Sequence, residues 1–421
     1  MKHIYRPKNS IIAAIDIGSS KTACLIARVI DDQGNIDIIG FGHVASKGVK
    51  AGLIVDIHET EKSVKDAVHS AEVMAAKIFN GYPLRDVVMA VPSLYTHSTQ
   101  SSVAVNIKGE TIQKHHIHKA LIGLESHEIN DDFSIIHSIP TQYTVDGHKG
   151  VENPIGMFAQ KMSMDVHCVK AETAALKNVI TIAENNHLDV DCLCIAPYAA
   201  GLSALVADEL NLGCLVIDMG AGITSYAVFE NGVVIHAGGI PVGGAHVTND
   251  LAAGLNTPIH HAERLKVLYG SCSNALSDSN ETIDVPTLGE DNNTHDRHIP
   301  RSTFVNIIRP RMEEIFELIR GDLDVNGMDV RAGGRVVLTG GGSQLNGVSD
   351  LAGIMLNKQV RIGKPQPAKG LPELASGPEF SKTIGLVQYA CQRMDEQPHI
   401  DDSHNDLPLM DRFTKWLKEN W

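Results

Sequence analysis

A chain of 421 residues, 43% of them hydrophobic and 20% charged, has room for two or three domains and a sizeable core, and is not disordered as a whole. With 36 basic against 50 acidic residues the formal charge is -14, which argues against a nucleic-acid partner, because neutralising a phosphate backbone takes a basic surface. Seven cysteines (Cys24, Cys168, Cys192, Cys194, Cys214, Cys272 and Cys391) lie mostly in apolar runs and show no zinc spacing, as reduced core thiols do. At the start, MKHIYRPKNS leads into an apolar run that Asp16 cuts short, so neither a signal peptide nor a transmembrane helix is expected and a cytoplasmic location follows.

The first element, IIAAIDIGSSKTACLIA, spans residues 11–27. An apolar run leads to Asp16, then to a turn of small residues, then to a second apolar run, the pattern of a buried hairpin with an exposed turn. Residues 35–43 then alternate as a third strand, and residues 57–79 carry Val64, Ala67, Val68, Ala71, Met74, Ala75 and Ile78 at helical spacing. DVVMAVPS, residues 86–93, adds a short buried strand, giving a βββαβ order.

Residues 92–165 read as an inserted α+β unit: an alternating run near 101–107, a helix over 113–129, and strands near 134–139 and 157–169. Its KHHIHK stretch places His115 and His118 one turn apart, but no third ligand has suitable spacing, so solvated helix residues are the better reading. A helix over 172–186, the strand LDVDCLCIAP and a helix over 198–205 lead to GCLVIDMGAGITSYAVF, residues 213–229.

That second stretch repeats the first. Glycines let a backbone approach closely, and consecutive N–H groups in such a turn converge on an anion. One copy alone suits a plain turn as well as a phosphate site; two copies facing each other would clamp one polyphosphate between them. Asp16 and Asp218, each just before its turn, would hold Mg2+ through water, and Lys21 would meet the phosphate charge directly.

Beyond it come a strand, a double-glycine turn at Gly243 and Gly244, a helix, and a next helix over 258–269 with Glu263 and Lys266 three residues apart on one face. Such a pair suits the two hydroxyls of a ribose, although alone it is more often a surface salt bridge. Residues 273–300 are polar, a strand inside a loose excursion. Ser302 is expected to cap a helix running to Arg320 that Pro310 should kink. RVVLTGGGSQLNG then carries a buried strand into three glycines before a helix starting near Leu345, where bare backbone admits a flat purine or ribose.

This order of phosphate hairpin, second hairpin, Glu-x-x-Lys helix and LTGGGSQLNG resembles the actin, Hsp70 and sugar-kinase superfamily over residues 11–390. Within it, the insertion, IIHSIPTQYTVDG, NPIGM, VRIGKP and TIGLVQYA resemble the bacterial FtsA cell-division family. The resemblance implies an α/β fold of two actin-like, ribonuclease-H-like domains around a nucleotide cleft. It assigns Asp16, Gly18, Ser19, Ser20 and Lys21 to the first phosphate motif and Asp218, Gly220, Gly222 and Thr224 to the second. Glu263 and Lys266 would hold the ribose, and Gly340, Gly341, Gly342 and Ser343 would line the adenosine. The implied ligands are ATP and Mg2+.

The implied division of the chain is residues 1–91 as subdomain 1A, 92–165 as the insertion 1C, 166–240 as 2A, 241–305 as 2B, and 306–391 as a return to 2A and 1A. The implied partners are the C-terminal peptide of FtsZ, contacted near Arg301; further copies of the chain in a filament; and later division proteins at the insertion.

After Ala390 the composition changes. Residues 392–408 read as a solvated linker, spanning roughly 20 to 25 Å root-mean-square if flexible. Residues 409–421 follow, with Leu409, Met410, Phe413, Trp416, Leu417 and Trp421 on one arc of a helix and charged residues opposite. Both tryptophans of the chain lie there, which suits a membrane interface, while the segment is too short to span a bilayer. One such helix binds weakly, and a filament would add many together.

The leading expectation is therefore an ATP-binding filament former that tethers FtsZ polymers to the cytoplasmic face of the inner membrane at the division site. The alternatives are a pilus-assembly scaffold and a small-molecule kinase or chaperone ATPase on the same fold. For a kinase no general base can be named near the γ-phosphate, and for a chaperone the segment after residue 390 is too short to be a substrate domain. No water-positioning residue is identifiable, so ATP hydrolysis is not assigned.

Overall fold

A computed structural model describes residues 4–79, 83–128, 132–273, 281–288 and 297–393. Two five-stranded sheets form its framework, and their strand orders match. In the first, Asp189–Ile195, Asp86–Val91, Ile11–Ile17, Lys21–Val29 and Ile36–Ala45 lie side by side. In the second, Gln359–Ile362, Arg335–Thr339, Cys214–Met219, Thr224–Glu230 and Val233–Ile240 repeat that order. Each sheet joins an antiparallel hairpin and third strand to two parallel strands. The duplication expected from the two hairpins is present at the level of whole sheets.

The two leading strands are apolar without alternation because both faces of each sheet are covered. Ile57–Phe79 and Thr173–Asn185 cover the outer face of the first sheet. Val64, Ala67, Val68, Ala71 and Ala75 form the buried stripe of the longer helix, whereas Met74 is exposed and does not belong to it. Gly244–Leu255, Ile259–Tyr269, Arg301–Val325 and Val348–Leu356 contribute to the core that covers the second sheet. Arg301–Val325 runs through Pro310 and opens at Arg301 with Pro300 in the cap position, so Ser302 is a helix residue and not the cap.

Between the sheets lie Ala196–Ala204 and Ser381–Cys391, two helices packed against one another. They meet where Gly385 crosses Ala199: a Cβ on Gly385 would lie 1.6 Å from the Ala199 carbonyl oxygen. This crossing joins the halves of the molecule, because Ser381–Cys391 belongs to the first sheet by its contacts while Ala196–Ala204 also touches the second.

The insertion is a four-stranded antiparallel sheet in the order His148–Val151, Phe133–Val145, Phe158–Glu172, Thr96–Thr111, with Lys114–Glu128 covering one face. Its last strand runs unbroken to Glu172, seven residues past the expected boundary at 165. It docks on the second domain through Val233–Ile240. The His167 Nδ1–H donates to the Val234 carbonyl at 3.0 Å, Nε2 lies 2.5 Å from the Ser98 hydroxyl, and that hydroxyl accepts the Ala237 N–H at 3.2 Å. Within the expected excursion at 273–300, Thr282–Val285 pairs with Arg297–Pro300.

At the chain ends Ile4–Tyr5 pairs with Gln392–Arg393. The expected linker thus begins no earlier than residue 394. Most of it, and the helix expected at 409–421 with Leu409, Met410, Phe413, Trp416, Leu417 and Trp421, lie outside the described residues. Among the described residues no helix is long and apolar enough to cross a membrane. All seven cysteines are free, and six are buried.

Candidate functional site

Each leading strand ends in a turn, and the two turns meet. Gly18, Ser19 and Ser20 separate the strands of the first hairpin, and the Gly18 N–H closes the turn onto the Lys21 carbonyl at 3.0 Å. Gly220, Ala221, Gly222 and Ile223 do the same in the second. A Cβ on Gly222 would lie 2.5 Å from Ser19 Oγ and 2.8 Å from Ala51 Cα, so the second turn rests against the first. The Ser19 hydroxyl also accepts the Gly52 N–H at 2.9 Å. From the other side the helix Gly244–Leu255 braces the second turn: Gly244 and Ala245 donate N–H bonds to the Gly220 and Ala221 carbonyls at 2.9 and 2.8 Å. Side chains at 18 or 220 would meet backbone oxygens at 2.9 and 2.7 Å, which glycine avoids.

Behind the turns lies a set of opposed charges. Asp16 and Asp218 are both buried, each the last residue but one of its strand. Lys382, the second residue of Ser381–Cys391, places Nζ 2.8 Å from Asp16 Oδ1, and the Thr383 hydroxyl approaches the other oxygen at 3.5 Å. Lys21 donates to the Glu379 carbonyl at 2.5 Å and stands 4.3 Å over the Phe380 ring. Burial pulls the Lys21 ammonium below its ordinary pKa, against the attraction of Asp16. Asp218 is pushed up by burial, with Lys382 opposing. For Lys382 burial disfavours the charge, but Asp16 and Asp218 together hold it above its ordinary value.

Glycine turns with backbone donors, two ammonium groups and a carboxylate pair form a donor set that fits a polyphosphate and a hydrated divalent cation. Direct metal ligation does not fit as well: among the described residues no three His, Cys, Asp or Glu side chains cluster as ligands.

The remaining expected residues divide into those linked to the two turns and those that are not. Glu263 and Lys266 are joined at 2.7 Å, with Lys266 also donating to the Gly244 carbonyl at 3.1 Å and the Thr248 hydroxyl at 2.9 Å. That network ties the pair to Gly244, whose N–H in turn holds the Gly220 carbonyl of the second turn. Gly340, at φ 80°, packs on Asp218 and Met219, and Gly342 on Met219, which brings the glycine loop to the same place. Gly341 has only Glu379 Cβ within 4 Å of a built Cβ, at 3.8 Å, and stays open. Ser343 turns its hydroxyl back to the Gly340 carbonyl at 2.7 Å and is buried, and the following helix starts at Val348 rather than near Leu345.

Thr224 departs from its expected role. Its hydroxyl is buried and donates to the Val242 carbonyl at 2.8 Å, so it fastens the start of its strand to the segment that leads into the helix Gly244–Leu255. Ser20 is exposed in the first turn. Arg301 pairs with Glu281 at 3.0 Å, and its side chain is 23% exposed, so its guanidinium is already engaged within the chain. Lys382 is the residue that sequence reading missed. Its signal is a lysine in the first turn of a helix, where the helix dipole disfavours a cation and some nearby anion must compensate.

Comparison with known proteins agrees with this architecture. Residues 215–385 match the family model for cell division protein FtsA, and residues 94–170 match that for the SHS2 domain inserted in FtsA. The chain is 37% identical to the cell division protein FtsA of Rhizobium meliloti strain 1021, over 100% of this chain and 97% of that protein. Among solved structures it is similar to the PilM–PilN type IV pilus biogenesis complex, with a TM-score of 0.62 and 17% identity over 91% of this chain and 99% of that one. It is also similar to MreB5 of Spiroplasma citri bound to ADP, with a TM-score of 0.52 and 13% identity over 91% and 96% of the two chains. At such identities the structural likenesses establish the actin-like fold alone.

Proposed function

The chain belongs to the FtsA family of cell division proteins, and from that membership we propose that it binds ATP with Mg2+ in the cleft, assembles into filaments and tethers FtsZ polymers to the cytoplasmic membrane at the division site. The observation that carries the nucleotide reading is the contact of the two glycine turns at Gly222 and Ser19, backed by Asp16, Asp218 and Lys21. A polyphosphate seated there touches both halves of the molecule.

In this reading the N–H groups of Ser19, Gly220 and Gly222 point at phosphate oxygens, Gly18 closes the first turn, and Lys21 supplies positive charge. Asp16 and Asp218 orient a hydrated Mg2+, which when bound neutralises phosphate charge. Glu263 and Lys266 hold the ribose, and Gly340, Gly341 and Gly342 line the adenosine. Ser343 and Thr224 stabilise the loops around it. The site acts as a clamp that fixes one relative position of the two sheets, and that closed shape is the one that polymerises.

Subdomain 2B, residues 241–305, takes the acidic C-terminal peptide of FtsZ, with Arg301 reaching it by exchanging Glu281 for a peptide carboxylate. The insertion receives later division proteins. Residues 409–421, an apolar arc with both tryptophans, lie on the membrane, and polymerisation gathers many weak anchors. Liposome co-sedimentation of the full chain with FtsZ polymers tests this. Deleting residues 409–421, or making Trp416→Glu, is expected to abolish lipid binding and leave ATP binding intact. Undiminished lipid binding by either variant would end the tether reading.

A further inference from the structure

We propose that the Lys382 ammonium is a resident counter-cation of the nucleotide site, taking over part of the charge neutralisation that a divalent cation supplies, so that ATP binds this chain with only weak dependence on Mg2+. The proposal rests on the nucleotide reading above and deepens it.

Charge counting carries the first step. The two carboxylates and Lys21 alone would give the site a net negative charge, and an ATP polyphosphate would be repelled unless a divalent cation came with it. Glu379, whose carboxylate also acts on Lys21, adds a third negative charge, so the site carries -1 with Lys382 and would carry -2 without it. Because Asp16 and Asp218 are buried, water screens these charges poorly, and one ammonium changes the local potential more than it would on the surface.

Position carries the second step. Lys382 Nζ is 2.8 Å from Asp16 Oδ1, on the carboxylate that the hairpin would otherwise turn toward hydrated metal, while 21% of the Lys382 side chain stays accessible. Its charge can therefore be shared with an incoming phosphate. The backbone beneath it is fixed: Ser381 O accepts the Ser203 hydroxyl at 2.5 Å, and Ser381 Oγ lies 2.7 Å from Thr339 Oγ1. Nor is this a lysine placed for the helix's own sake. In the first turn of Ser381–Cys391 a cation works against the dipole, and an acidic or neutral residue would stabilise the helix better.

The test measures binding of a fluorescent ATP analogue to the full chain, in excess Mg2+ and in excess EDTA. For the unaltered protein the two dissociation constants are expected to agree within about threefold. Lys382→Met, which keeps the length and removes the charge, is expected to lose about tenfold or more in EDTA while recovering most of its affinity in Mg2+. Lys382→Arg should behave as the unaltered chain does. Strict Mg2+ dependence of the unaltered protein overturns the proposal, and needs no variant to fold. So does an EDTA affinity that Lys382→Met leaves unchanged. If the unaltered protein binds the analogue in neither buffer, the nucleotide reading itself fails, and the role of Lys382 falls with it.

Discussion

Gly222 of the second hairpin lies directly on Ser19 of the first, so closely that a methyl group at 222 would stand 2.5 Å from Ser19 Oγ and 3.0 Å from the Ala51 nitrogen. A serine hydroxyl can rotate away, but the Ala51 backbone cannot. Gly222→Ala must therefore spread the turns, and a ligand touching both loses part of its contacts. Overpacking of this kind costs about 1–3 kcal/mol, so nucleotide affinity is expected to fall roughly tenfold or more. Titration calorimetry with ATP checks it; unchanged affinity would mean that the contact between the turns does not shape the site.

Thr224 separates the structure's account of the second motif from the one its spacing implies. With its hydroxyl donating to the Val242 carbonyl, Thr224→Val leaves one buried acceptor unpaired and is expected to cost about 1 kcal/mol of stability. ATP affinity should change little, whereas Lys21→Ala should reduce it severalfold. A Thr224→Val protein of normal stability that binds ATP poorly would return the hydroxyl to the phosphate.

Two buried histidines give the fold a dependence on pH. Burial lowers His167 from its ordinary 6.5 to about 3, and burial followed by His167 does the same for His137. Below pH 6.5 the unfolded chain takes up protons that the folded one refuses, so stability is complete above that value and is lost as pH falls toward 3. Between about pH 7.5 and 5.5 each neutral histidine accounts for roughly 1 kcal/mol. His167→Gln keeps a donor for Val234 and should remove about half of the two-histidine loss in urea unfolding curves. A variant with the same acid sensitivity as the unaltered chain would place the dependence elsewhere.

Much of this architecture is legible in the chain itself because burial imposes period. The repeated apolar-Asp-glycine stretches, the helix Ile57–Phe79 and the alternating strands of the insertion all report which faces are covered. Period does not report where a hydroxyl points: those of Thr224 and Ser343, which the resemblance assigns to the ligand, donate to the Val242 and Gly340 carbonyls. Nor does it report a partner hundreds of residues away: Lys382 reaches Asp16, and Gln392 reaches Tyr5, only once the fold is closed. The cap expected at Ser302 fails for a local reason. Pro300 has a fixed φ and lacks an N–H, which makes it a suitable stop just before the first helical turn.

The crossing of Gly385 and Ala199 makes the sharpest prediction about stability. Tyr198 and Tyr389 pack edge to face beside it, with ring centroids 5.6 Å apart, so neither helix has slack to move. A methyl group on residue 385 would fall 1.6 Å from the Ala199 oxygen and 2.4 Å from its carbonyl carbon, both backbone atoms. Gly201 offers a control on the partner helix, since the group it would strike at 2.2 Å is a side chain, the Phe229 ring, and not backbone. Gly385→Ala is expected to cost about 3 kcal/mol or more and Gly201→Ala less, because only the first forces whole helices apart. The same displacement carries the start of Ser381–Cys391, and with it Lys382, away from Asp16. Gly385→Ala should therefore weaken ATP binding even at a temperature where it is folded, and Gly201→Ala should not. Thermal unfolding followed by ATP titration well below both midpoints reads the two effects separately. A Gly385→Ala protein that melts with the unaltered chain would show that the helices are not locked at this point.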